Sequence, residues 1–336
     1  MTNETLALYS NYGLYSAIVV FTLAMLMFGV DLAKAASWTA RVKAETEVPE
    51  RELVGAQTTA GPGSTGSGET EVDEPASGPE QPAVEVARPR QFAGMGLSLS
   101  WLGTMLLVLT VTLRGWSVHR PPLGNMYEFA LVGTTFVMLV FLGLSLRRDV
   151  RWLGLFVTGP VLLTLGLAIT VFYTQASQLL PSLHSFWLVI HVTVATLSVG
   201  LFTVAFSLTI LQLIKAHREP HPPAKRTFME ALPSASVLDR TAYGLHVIAF
   251  PLWTFTLIAG AIWAEQAWGH YWNWDPKEVW TFVIWIVYAA YLHARATSGW
   301  SDRKASFLAL AGYGCILVNY MVVNVYFVGQ HSYSGM

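Results

Sequence analysis

FWLVIHVTVATLSVGLFTVAFSLTILQLI, residues 186–214, contains no Asp, Glu, Lys or Arg. A helix that crosses a bilayer needs about 20 mostly apolar residues, so this stretch reads as a membrane span with one titratable side chain, His191, near its start. The same criterion picks out seven further segments, at about 12–33, 96–114, 127–146, 152–173, 242–263, 277–295 and 306–328. The rest of the composition agrees. Across 336 residues, 53% are hydrophobic and 12% charged; soluble domains carry about 25% charged residues. An ordinary cytosolic protein is excluded, and the expectation is an all-α integral membrane protein of about eight transmembrane helices. The first span lacks the basic start and small-residue cleavage site of a signal peptide and reads as retained.

A net charge of −1 argues for neither nucleic acid nor an acidic substrate as partner. Cys315 is the single cysteine, so no disulfide, zinc cluster or Cys-x-x-Cys pair can form within the chain. Metal or redox chemistry must fall to histidine, carboxylate or a bound cofactor.

Lys and Arg set the orientation. With the N-terminus outside, 17 of them fall on the inner side, and Arg114, Arg120 and Lys277 are the three outside. Discounting the long 34–95 loop leaves 11 against 3. The chain reads as N-out and C-out. It divides into a first transmembrane helix over 1–36, a disordered cytoplasmic linker over 37–95, and a seven-helix membrane domain over 96–336. The linker expectation rests on the Gly, Pro, Ser, Thr, Ala and Glu bias of 44–90. Within it, Gly61–Gly66 formally matches G-x-G-x-x-G, but no strand precedes it and no amphipathic helix follows, so it reads as linker. The basic inner loop 215–240 reads as an orientation and lipid-contact segment.

The loop between spans six and seven, 263–280, runs WAEQAWGHYWNWDPKEVW. An aromatic belt accounts for one or two Trp at a span end, not for five crowded into this turn. Trp263, Trp268, Tyr271, Trp272 and Trp274 suit a flat apolar platform for a flat apolar ligand, with Gly269 allowing close backbone approach. Asp275-Pro276-Lys277-Glu278 has the form of a helix start, with Asp275 as N-cap, Pro at the first helical position and Glu278 completing a capping box. Lys277 has two readings, a ligand carboxylate partner or a headgroup contact.

Titratable residues inside spans are functional candidates. His191 lies below the outer end of span five, with His184 seven residues earlier on nearly the same face; His331 follows span eight at the same surface. Two neutral imidazoles on separate helices suit axial ligation of a haem iron. The bland alternative, a hydrogen-bonded interfacial histidine, stands for each taken singly, and the Trp loop at the same depth favours the pair. His293 and His246 sit near inner span ends, where they belong to a second site or snorkel. His119, His217, His221 and His270 fall in loops and are expected to face solvent.

Trp268-Gly-His-Tyr-Trp272-Asn-Trp274-Asp275-Pro-Lys-Glu278 resembles the WWD signature of haem-handling proteins of cytochrome c biogenesis. Arg120-Pro-Pro-Leu-Gly-Asn125-Met-Tyr127-Glu128, Trp187-Leu-Val-Ile-His191-Val, Tyr291-Leu-His293-Ala-Arg295 and the terminal His331-Ser-Tyr333 narrow the resemblance to the CcsA/ResC family of System II, called CcsB in some genomes. It covers about 95–336. The resemblance implies a membrane subunit of a cytochrome c synthetase with a Ccs1/ResB-type partner. Such a subunit takes haem b from the cytoplasmic side and presents it outside for thioether attachment to apocytochrome c. It sits in a bacterial plasma membrane, or in a thylakoid if plastid-encoded. It further implies His191 and His331 as outer haem ligands and His293 as an inner one, the second inner ligand coming from the partner. The linker after span one departs from the family and inherits no role.

On this reading the substrate thiolates attack the haem vinyl groups, so the chain needs no nucleophile of its own. Its part is positioning of the ring and iron. Arg120 is the expected propionate partner, with Asn125 and Tyr127 framing the pocket and Glu128 orienting Arg120. Two rivals stay open: a haem exporter or chaperone without ligation activity, and a cytochrome b-type electron carrier.

Overall fold

The structure is a computed structural model that describes residues 3–57, 90–179, 183–220, 227–297, 300 and 302–331. Among these, regular structure is entirely helical, and eight helices are long and apolar enough to cross a membrane. They are α1 (Glu4–Gln57), α2 (Gln91–Val118), α3 (Met126–Ser145), α4 (Gly154–Thr170), α5 (Phe186–Arg218), α6 (Ala235–Trp268), α7 (Pro276–Ala296) and α8 (Asp302–Leu317). The last continues through a π turn, Val318–Val323, into a final α turn, Asn324–Tyr326. All eight expected spans are present.

The expected linker fares differently at its two ends. Helix α1 runs on to Gln57, through Pro49 and Gly55, and α2 begins at Gln91. Residues 58–89, with the Gly61–Gly66 stretch, lie outside the described residues, as do His221 and Ser332–Met336.

Helix α1 packs along α2 and against α4; α5 is central, against α3, α6 and α8; α7 pairs with α8 and α6. Between helices, membrane packing depends on close approach and on polar side chains that satisfy carbonyls. Gly103 lets α2 meet the Phe21 ring of α1, where a Cβ would stand 2.7 Å from ring carbon. Pro160 cannot bond to the carbonyl of Phe156, and Ser207 Oγ of α5 donates to that carbonyl instead, at 2.9 Å. Ser198 Oγ likewise donates to Ala249 O at 2.9 Å, tying α5 to α6.

Local signals set the helix ends that matter for the site. Asn125 caps α3 by accepting from Glu128 N at 2.9 Å. Ser185 caps α5 and accepts from Trp187 N. Gly269, at φ +79°, closes α6 in the left-handed region that favours glycine. Asp275 and Glu278 form the expected capping box at α7, with Pro276 in its first turn. The start of α1 meets the end of α2, Asn3 N donating to Ser117 O at 2.7 Å. The loops on either side of α3 and α6 alternate accordingly, so one end of the bundle gathers the α2–α3, α4–α5 and α6–α7 connections with His331.

Candidate functional site

That end opens into a cavity of about 280 Å³ walled by α3 to α8. The wall is mainly apolar and aromatic, with a few polar groups, the usual make-up of a small-molecule site. His191, His331, Trp263, Trp268, Tyr271, Trp272 and Asn125 all line it.

His191 lies in the second turn of α5. Its Nδ1 stands 3.0 Å from the carbonyl of Thr256 in α6. A carbonyl accepts only, so Nδ1 carries the proton and Nε2 is the basic nitrogen. Trp263 meets the ring edge-on, with centroids 5.7 Å apart. The ring fits because residue 260 is glycine: a Cβ there would stand 2.8 Å from His191 Cε1.

His331 is fixed in a parallel way. Its Nδ1 lies 2.9 Å from Asp275 Oδ1, and its ring meets Trp268 edge-on at 4.8 Å between centroids. Asp275 is buried and also accepts from the backbone N–H of Lys277 at 3.0 Å and of Gln330 at 2.7 Å. Burial pushes its carboxyl up, and the His331 contact with these N–H groups outweighs that and holds it below its ordinary range. Carboxylate-to-imidazole contacts of this kind fix the tautomer of ligating histidines.

Sequence candidates divide into those gathered at the cavity and those turned away. Trp274 is 76% exposed, and its neighbour Trp272 lines the wall. Gly269 acts as the helix terminator. Tyr127 is buried toward α1, its hydroxyl donating to Asn11 Oδ1 at 3.4 Å and its ring edge-on to Tyr173. Arg120 does not line the cavity: its guanidinium donates to both Glu128 oxygens, at 2.8 and 3.1 Å, and to Ser177 O. Arg114, 1% exposed, shares the same carboxylate at 3.2 Å. Glu128 further accepts from Gly124 N at 2.8 Å, so this network shapes the cavity lip.

His293 is exposed on α7 near the opposite end of the bundle, apart from the cavity. His246, also outside it, is buried among Phe202, Tyr288 and Tyr291. His270 differs from the solvent-facing expectation. It stacks on Trp268 at 6.5 Å between centroids, and its Nε2 lies 3.3 Å from Gln330 Nε2. The sequence held no signal for Gly260, Thr256 or Gln330, which act through backbone or through contacts far along the chain. Three polar atoms on lining residues are buried without a protein partner, Trp263 Nε1, Glu278 Oε1 and Asn319 Oδ1. The His191 and His331 rings, the indoles beside them and three unpartnered polar atoms on one cavity wall together fit a flat, metal-centred aromatic ligand with polar substituents.

The family model "Cytochrome C assembly protein" matches residues 121–331. A cytochrome c biogenesis protein CcsA from Synechococcus sp. (strain JA-3-3Ab) is 33% identical over 310 residues, covering 75% of this chain and 87% of that one. The chain belongs to the CcsA family. CcsA of Guillardia theta is 35% identical over 256 residues, covering 68% of this CcsA-family chain and 83% of its own. Among solved structures, a cytochrome c haem lyase, CcmF, shares the fold with TM-score 0.58 at 15% identity; it covers all of this chain, which spans half the length of CcmF. This CcsA-family member is therefore a multi-pass membrane component of cytochrome c biogenesis.

Proposed function

We propose that the chain is the haem-presenting subunit of a cytochrome c synthetase, with haem b as its substrate. The reading is carried by one observation: His191 and His331, each held through Nδ1, line one cavity together with Trp263, Trp268 and Trp272. The two Nε2 atoms would bind the iron axially, and the indoles would hold the macrocycle with its vinyl edge toward the opening. Each cysteine thiol of an apocytochrome Cys-x-x-Cys-His motif then adds across a vinyl group. Sulfur bonds to the carbon next to the ring and the thiol proton ends on the terminal carbon, so no oxidant is consumed. The chain contributes position and exclusion of water rather than a nucleophile.

On this reading the cavity end faces outside the cytoplasm, which agrees with the Lys and Arg distribution. Haem arrives from the cytoplasmic side past His293, whose exposure on α7 leaves room for a second ligand from a Ccs1/ResB-type partner. The membrane is a bacterial plasma membrane, or a thylakoid for a plastid-encoded chain. The test is co-expression with that partner and an apocytochrome reporter in a host lacking cytochrome c synthesis. Covalent haem on the reporter is expected. Haem bound to the complex without covalent product would give the handover reading instead.

A further inference from the structure

Among the described residues, Lys277 is the one Lys or Arg that lines the cavity. Its Nζ donates to Asn324 Oδ1 at 2.8 Å and to the carbonyl of Asn319 at 3.1 Å. Asn319 lies in the π turn of α8 and Asn324 just after it. A π turn interrupts the regular backbone ladder and often marks a functional position; here it brings two neutral oxygens to the ammonium.

Among the described residues no carboxylate oxygen makes a direct ion-pair contact with Lys277 Nζ, although the Asp275 carboxylate lies close enough to act on it electrostatically. Asp275 is taken by His331 and two backbone N–H groups. Glu278 uses Oε2 for the N–H groups of Asn273 and Asp275, at 2.9 and 3.1 Å, beside the positive end of α7, and its buried Oε1 has no protein partner, Lys277 included. The contrast with the same end of the bundle is sharp: buried Arg114 and partly buried Arg120 share Glu128. Lys277 is partly buried, and the negative charge acting on it is the Asp275 carboxylate two residues before it, already engaged by His331 and two backbone N–H groups; a cation so placed gains from a further counter-charge. An ammonium has three donors, and the two asparagines take two of them. The side-chain oxygen of Asn319, on the cavity lining, is itself buried and unpartnered.

We propose that Lys277, braced by Asn319 and Asn324, anchors a carboxylate of the ligand that fills this cavity. Resting on the function proposed above, that carboxylate is a haem propionate, and Lys277 takes the role that the sequence pointed to in Arg120. The anchor sets the macrocycle's rotation about the axis between the two histidines, and so decides which edge carries its vinyl groups to the opening.

The test compares haem b with its dimethyl ester, titrated by absorption into the purified full-length protein in its membrane complex. The free acid is expected to bind at least ten-fold tighter than the ester. Lys277→Met should bring that ratio close to one by weakening the acid alone, and Lys277→Arg should keep most of it. If K277M fails to accumulate, Asn324→Ala is expected to lower the ratio at least three-fold. A ratio near one in the unmodified protein, as a lipid carboxylate lodged at Lys277 would give, overturns the assignment. So does a ratio that survives K277M or N324A. Binding of both porphyrins with equal affinity removes the anchor and leaves the haem site standing. Binding of neither removes both.

Discussion

His331 and Asp275 are 56 positions apart in the chain, and their side chains meet at 2.9 Å across the mouth of the cavity. Asp275 does two jobs with one carboxylate. It caps α7, and it sets the orientation of an imidazole arriving from beyond α8. The start of the helix after the Trp loop is thereby tied to the candidate ligand.

Replacing Asp275 should separate these jobs. Asp275→Asn keeps a capping oxygen, so the helix start should survive, while the tautomer of His331 is no longer enforced. Haem affinity should fall about 10- to 100-fold, the usual effect of removing a partner behind a metal ligand. Asp275→Ala should add about 1 kcal/mol of lost cap. Spectral titration and thermal unfolding of the two variants check this.

His191→Gly and His331→Gly should each shift or bleach the spectrum of co-purified haem, and added imidazole should partly restore it. Unchanged haem content and spectrum in both variants would remove the ligand assignment.

Gly260 is the backbone window for His191. Gly260→Val should push the ring from its contact with Thr256 while leaving both histidines in the sequence. Overpacking of this kind costs about 1–3 kcal/mol. Haem loading should fall as in His191→Gly, and imidazole should rescue it less well because the new side chain fills the same space. Loading equal to that of the unmodified protein would show that the ring position does not matter.

Glu128 is fully buried and holds two guanidinium groups and the Gly124 N–H. Glu128→Gln strands Arg114 and Arg120 without a counter-charge, and breaking a buried pair typically costs about 3–5 kcal/mol. Thermal unfolding in detergent should show a large loss. Adding Arg114→Met should recover part of it, since one of the stranded charges is then gone.

His293 tests the direction of haem entry. His293→Gly should lower haem loading at the cavity although the residue lies outside it. Normal loading, read from the absorption of the purified complex, would rule out the cytoplasmic route.

Much of this molecule is legible in its sequence. A bilayer demands continuous apolar helices, so each of the eight spans stands out from local composition alone. The capping box at Asp275-Pro-Lys-Glu278 reads locally as well, because a cap involves neighbours three residues apart. The Trp loop and the two histidines could be placed at one depth by counting residues along the spans. What local reading could not reach was which way each side chain turns. Arg120 and Lys277 are both basic residues near the same surface. Only the packing of α3 against the preceding loop commits Arg120 to Glu128, and only the π turn of α8 presents Asn319 and Asn324 to Lys277. His270 belongs with Trp268 and Gln330 for the same reason, and Trp274 does not join Trp272 at the wall.

By itself the sequence determined that the chain crosses a membrane as eight helices and where each span lies, though not how far α1, α2 and α6 run beyond the apolar stretch. Hydrophobic length and capping are local properties, and they suffice for that. The tertiary structure decided which imidazole nitrogen remains basic, which cation faces the cavity and which carboxylate is already spent. Those outcomes depend on partners about 40 to 65 residues away, and on the rule that each buried polar group needs a partner.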